Sequence, residues 1–229
     1  MYQVKIYKGD YRQRQEQANK DKCVGYVEQH FNSSDDDEAS YSVVVVGANA
    51  SQTSKNWGRW YAAAVGREFH CSLGGDNGIQ VGGFNGRGDA NLRYTDMPAI
   101  LLESLFCSNP TQAATIKRTA GQEQLARILC DSIQRFFPKG GLFGFSVGHK
   151  YKTSNPDDRG AAVAGGGWEA DYAEAVLEQA SAMLAGVQQL SQSARDIRIV
   201  EKGNVVVTHS IDPDANVIWD PVRGILTVN

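Results

Sequence analysis

Polar and apolar positions alternate from the start of the chain. Tyr2, Val4 and Ile6 are separated by Gln3 and Lys5, which predicts a strand with one buried face. Asp10 then precedes a polar run, Tyr11 to Lys22, containing Arg12, Arg14, Ala18 and Asn19, which reads as a helix. Cys23 to Gln29 and Ser42 to Val46 read as further strands, separated by the turn-rich acidic stretch Ser33 to Ser40. From Ser54 to Phe69, Trp57, Trp60, Tyr61, Ala64 and Val65 recur at helical spacing and predict an amphipathic helix. Gly74 to Asn91 is rich in glycine and asparagine and reads mainly as a surface loop, with a short strand at Ile79 to Val81.

Pro98 introduces Ala99 to Glu103, a buried-looking strand. After Asn109-Pro110 helical material runs to Phe137, with Leu125, Ile128, Leu129, Ile133 and Phe136 on one stripe, and Pro138 and Gly140-Gly141 end it. The next apolar run, Leu142 to Val147, stops at Gly148-His149. Glu169 to about Leu190 is again helical, with Tyr172, Val176, Met183, Val187 and Leu190 near one face. Beyond it, Ile197 to Asn229 changes to short β-like runs, with a hairpin expected at Lys202-Gly203-Asn204. Strands alternating with helices predict an α/β three-layer sandwich with a mixed central sheet of about six strands, and a small C-terminal β appendage. The expected division is a main domain over 1–190 and an appendage over 191–229.

Composition narrows the classes. With 229 residues the chain can bury one sizeable α/β core. A net charge of −3 and a pI near 5.8 offer no general attraction to phosphate backbones, which argues against nucleic-acid binding. Cys23, Cys71, Cys107 and Cys130 form no C-x-x-C pair, so they read as core thiols. No apolar stretch is long enough to span a bilayer, and Met1 to Ile6 does not read as an export signal.

Candidate chemistry gathers at predicted element ends. The strand ending at His149 and the helix opening at Glu169 place an imidazole and a carboxylate at one rim of a sheet. His30, followed by Phe31-Asn32, closes the Cys23 to Gln29 strand and supplies a third ligand. Two imidazoles and a carboxylate suit zinc with a fourth position open, the pattern of a catalytic site. Glu103 ends the apolar run Ala99 to Leu102, where a carboxylate is expensive without a purpose. Beside such a metal it suits general base and acid work. Any one of these histidines alone would ordinarily be a hydrogen-bonded structural residue; the combination carries the reading.

These segments resemble the zinc-dependent N-acetylmuramoyl-L-alanine amidases, which cleave bacterial peptidoglycan. Gly148-His149, Asp158-Arg159-Gly160-Ala161 and Glu169 look like that family's first strand and first helix, and Arg14 with Ala18-Asn19 like its second helix. His30-Phe31-Asn32 looks like the third-ligand strand, and Leu102 to Phe106 with Ser108-Asn109-Pro110 like the catalytic-glutamate strand. The resemblance implies zinc held by His30, His149 and Glu169, with Glu103 catalytic and peptidoglycan as substrate. It covers roughly 1–190, and its order is permuted, because the family's Gly-His segment comes first and its glutamate strand last. A circular permutation with Pro138 to Gly141 as the new joint accounts for this. Two residues depart from the pattern: Leu105 replaces a common glycine, and Glu28 stands where a small polar residue is usual. By strand alternation Glu28 shares the face of His30, either supporting that ring or disturbing the metal.

Alternatives stay open at this level: a zinc carboxypeptidase or deacetylase on a related sheet, or an inactive wall-binding or assembly module. A wall enzyme lacking an export signal would be a phage-type lysin or a cytoplasmic prophage product. The appendage would extend the sheet, bind the wall or make a dimer, and the oligomeric state is not set. Asp35-Asp36-Asp37-Glu38 lacks the glycine and spaced ligands of a calcium loop and reads as a solvated loop near the cleft. Gly82 to Gly88 lacks the lysine-serine ending of a phosphate loop and reads as a mobile wall of the substrate groove. His70 and His209 have no ligand context.

Overall fold

The computed structural model describes residues 1–193, 196–201, 204–210, 217–220 and 225–228, with side chains through residue 186. It divides into two units, Met1–Leu184 and Ala185–Asn229.

The first unit opens with β1 (Tyr2–Ile6), α1 (Tyr11–Lys20), β2 (Gly25–Asn32) and β3 (Tyr41–Val46). Next come α2 (Gln52–Glu68), the short strands β4 (Ser72–Leu73) and β5 (Ile79–Val81), and β6 (Ala99–Phe106). α3 (Pro110–Lys117), α4 (Thr119–Phe136), β7 (Gly141–Val147) and α5 (Glu169–Ser193) complete the series. The strands form one seven-stranded sheet in the order β1-β7-β2-β6-β3-β4, with β5 also on β3. All pairings are parallel except β3 with β6, so the sheet is mixed as expected, and the short β4 adds to the predicted count. β7, late in the chain, lies between β1 and β2.

Alternation sorts the side chains onto two faces. Val27, Ile100, Leu102, Phe143, Phe145 and Val147 join a large apolar cluster with Trp57 and Tyr61 of α2, Leu125, Leu129 and Ile133 of α4, and Val176 and Leu177 of α5. The opposite face carries a smaller cluster of Tyr7, Ala18, Cys23, Tyr26, Val45, Leu92, Ala99 and Leu101. The four cysteines are unpaired thiols; Cys23, Cys107 and Cys130 are buried, Cys71 partly so.

Several boundaries differ from the sequence reading. β2 runs to Asn32 and β6 to Phe106, so His30 and Glu103 sit inside strands rather than at their ends. Ladder pairing prolongs them: His30 pairs with Glu103 and Asn32 with Phe106, across a bulge between His30 and Asn32. The single helical stretch after Pro110 is two helices, broken at Arg118, whose backbone is extended. The turn from α4 to β7 needs Gly140: its φ is +70°, and a Cβ there would lie 2.1 Å from the Met1 carbonyl oxygen.

In the second unit, β8 (Asp196–Glu201) pairs antiparallel with β9 (Asn204–Ser210), and β10 (Val217–Asp220) with β11 (Ile225–Val228). Glu201 faces Asn204 across the expected hairpin; Lys202 and Gly203, like the side chain of His209, lie outside the described residues.

Candidate metal centre

His30, His149 and Glu169 converge. One donor atom from each lies within 4.8 Å of the others, although 139 positions separate His30 from Glu169. His30 comes from the bulged end of β2, His149 follows β7 in a left-handed conformation with φ +63°, and Glu169 opens α5. The imidazole rings meet edge-on with centroids 5.0 Å apart. His30 Nδ1 stands 3.0 Å from Glu169 Oε1, and His149 Nε2 stands 3.5 Å from Glu169 Oε2.

Two glycines make this approach possible. A Cβ on Gly148 would lie 2.4 Å from the His30 ring, so that ring rests on bare backbone. A Cβ on Gly160, whose φ is +75°, would lie 2.5 Å from Glu169 Oε2 and 2.7 Å from His149 Cδ2.

Each ligand candidate is oriented by further groups. Glu169, 3% exposed, accepts from the Phe31 and Ala161 backbone N–H groups. Burial alone would raise its carboxyl, but the His30 hydrogen bond, the charges of His30 and His149 and the Ala161 N–H hold it below the usual range. His149 Nδ1 lies 3.1 Å from both oxygens of Asp158. Asp158 also accepts from Lys152 and the Gly160 N–H, which together outweigh burial and depress its carboxyl.

Glu103 occupies the same cleft, a cavity of about 550 Å³ also lined by His30, His149, Glu169, Arg87 and Phe84. Its Oε2 is buried with no hydrogen-bond partner among the described residues. Burial first, then the neighbouring Glu169 and Glu28 carboxylates, push its carboxyl up to about 8, against the opposing pull of His30 and Arg87. A carboxyl poised near neutrality suits proton transfer in both directions.

All four residues singled out in the sequence therefore share one cleft. Several of their supports were not singled out as such: Asp158 behind His149, Arg87 on the glycine-rich wall, and Asn91 and Ser146 beside Glu28. Strand alternation already placed Glu28 with His30. Asn91 carries no sequence signal, because a lone asparagine closing a glycine-rich loop looks like any turn residue.

Two imidazoles and a carboxylate around one point are a donor set able to hold a metal ion, and a raised carboxyl lines the same cleft. Residues 2–135, more than half of the chain, match the N-acetylmuramoyl-L-alanine amidase family, and the chain belongs to that family. The matched stretch includes His30 and Glu103; His149 and Glu169 lie beyond it. Among solved structures, the catalytic domain of CwlV, an N-acetylmuramoyl-L-alanine amidase from Bacillus (Paenibacillus) polymyxa var. colistinus, is similar at 28% identity. The match covers 56% of this chain and 66% of that one, with a TM-score of 0.47. The N-acetylmuramoyl-L-alanine amidase of Clostridium difficile 630 is 22% identical over 58% of this chain and 67% of that one, with a TM-score of 0.48. A putative N-acetylmuramoyl-L-alanine amidase from Neisseria meningitidis is 22% identical over 55% and 63%, with a TM-score of 0.42. This chain thus covers about two thirds of the length of these solved chains. No curated protein matches it.

Proposed function

We propose that this chain is a zinc-dependent amidase. It hydrolyses the amide between the lactyl group of N-acetylmuramic acid and the first L-alanine of the peptidoglycan stem peptide. The observation that carries the reading is the convergence of His30, His149 and Glu169 around one point, in a cleft shared with Glu103. The fit to zinc rests on the donor chemistry and on Gly148 and Gly160, whose missing Cβ atoms leave room for the three ligands to close. Zinc, when bound, supplies Lewis acidity and makes water acidic enough to act as a nucleophile near neutral pH.

The protein's own residues do the rest. His30, His149 and Glu169 hold the ion, and Asp158 orients His149 through Nδ1. Glu103 takes a proton from the water that attacks the lactyl carbonyl carbon. As the carbon–nitrogen bond breaks it returns that proton to the alanine nitrogen, so a carboxylic acid and a free amine result.

In this reading the segment order is a circular permutation. Support comes from β7, which carries Gly148-His149 at its end yet lies between β1 and β2, and from the short α4–β7 turn that delivers it there. Cell-wall lysis or remodelling is the setting, with release as a phage-type lysin one route to the wall. Among the described residues no helix is long and apolar enough to cross a membrane.

Digestion of purified peptidoglycan with and without a chelator tests the activity. New L-alanine amino termini without new reducing sugar ends, lost on chelation, are expected. Release of acetate or of a C-terminal amino acid instead assigns the site to a deacetylase or carboxypeptidase, and no release assigns it to an inactive wall-binding module.

A further inference from the structure

Behind His30 lies a second buried carboxylate that the proposed reaction does not use. Glu28, two residues earlier on the same face of β2, is 1% exposed. Its Oε1 is 2.9 Å from His30 Nε2 and also accepts from Asn91 Nδ2; its Oε2 accepts from Ser146 Oγ at 2.9 Å. Ser146 in turn accepts from Arg14 Nη1 at 2.6 Å, and Arg14 also donates to the Gly9 and Val147 carbonyls. A buried carboxylate with both oxygens hydrogen-bonded, backed by a buried guanidinium, is costly to assemble.

Resting on the zinc reading above, we propose that Glu28 is a positioning residue. It accepts the Nε2–H of His30, which commits Nδ1, the nitrogen facing Glu169, to the metal. Three features carry this. The ring rests on the bare backbone of Gly148 on one side and meets the His149 ring edge-on. Nδ1 and Nε2 point at different carboxylates, Glu169 and Glu28, so the two roles are separated in space. Glu28 also holds Asn91, which ends the glycine-rich segment carrying Arg87, so the same carboxylate sets both a ligand ring and a cleft wall. Metal-bound histidines commonly donate their other N–H to such a carboxylate, and its loss costs about 10- to 100-fold in metal affinity.

The test uses the full chain loaded with zinc. Long-range ¹H–¹⁵N spectra of the histidine rings, with His30 assigned by His30→Gln, should show His30 protonated at Nε2 and metallated at Nδ1 in the wild type. Competition with a chromogenic chelator should show zinc affinity falling about 10- to 100-fold in Glu28→Ala. Glu28→Gln, which keeps an acceptor, should lose less and retain the Nε2–H form. A wild-type His30 protonated at Nδ1 overturns the proposal without recourse to any variant. So does Glu28→Ala with wild-type affinity and an unchanged ring spectrum, and in both cases the zinc reading survives. A wild-type chain that takes up no zinc overturns both.

Discussion

The two faces of the central sheet are built by opposite rules. Toward α2, α4 and α5, β7 presents Phe143, Phe145 and Val147, and β2 answers with Val27 and Phe31, all in one apolar cluster. On the other face β7 presents Leu142, Gly144 and Ser146, with Gly148 just past its end, and β2 presents Tyr26, Glu28 and His30. In the parallel ladder Tyr26 lies opposite Gly144 and Glu28 opposite Ser146. A Cβ on Gly144 would meet the Tyr26 ring at 2.9 Å, as one on Gly148 would meet His30. Bulk on one strand is matched by its absence on the next. The first face supplies most of the buried apolar area that stabilises the fold. The second gives up side-chain volume on β7 to admit a tyrosine, a carboxylate and an imidazole.

This division predicts that stability and chemistry can be damaged separately. The largest effect belongs to the chemical face: Glu103→Ala should bind zinc normally, yet lose peptidoglycan hydrolysis by about 10²- to 10⁴-fold. A purified variant with full activity removes Glu103 from the mechanism. On the apolar face, Phe145→Ala removes a fully buried ring and should cost about 3–5 kcal/mol in urea unfolding. Zinc stoichiometry should be unchanged wherever the variant is folded, and an equal loss of metal binding would show that the faces are not independent. Gly148→Ala drives a methyl into the His30 ring and should cost about 1–3 kcal/mol in stability while weakening zinc binding more than Phe145→Ala does. Wild-type zinc affinity in that variant would mean the ring has room to shift.

The smallest effect concerns protons. In metal-free protein the Glu103 carboxyl keeps its proton between its ordinary 4.5 and about 8, whereas the unfolded chain has already lost it. The folded state therefore binds more protons in that window, and this residue's contribution to stability declines as pH rises through it. Glu103→Gln should gain on the wild type by on the order of 1–3 kcal/mol between pH 4 and pH 8.5, the cleft side of the carboxyl moderating the full shift. Urea midpoints that differ by the same amount at both pH values would contradict the raised carboxyl.

Much of this was legible locally. Period-two alternation exposed β1, short apolar runs exposed β3 and β7, helical spacing exposed α2 and α4, and turn residues separated them. The Gly-His end of β7 and the glutamate opening α5 stood out for the same reason. Less legible were strand lengths past His30 and Glu103, because ladder partners distant in sequence prolong those strands. The break at Arg118 was hidden as well, since no proline marks it.

By itself, then, the sequence determined the element types and singled out His30, His149, Glu169 and Glu103 as candidates. These follow from side-chain chemistry and short-range periodicity. The tertiary structure alone decided that β7 would lie between β1 and β2, and that His30 would meet a glutamate 139 positions away. It also decided that Arg14, Asn91 and Ser146 would close around Glu28. Those outcomes depend on which strands pair. Pairing is selected by the collective burial of both sheet faces, and no local window of residues contains that information.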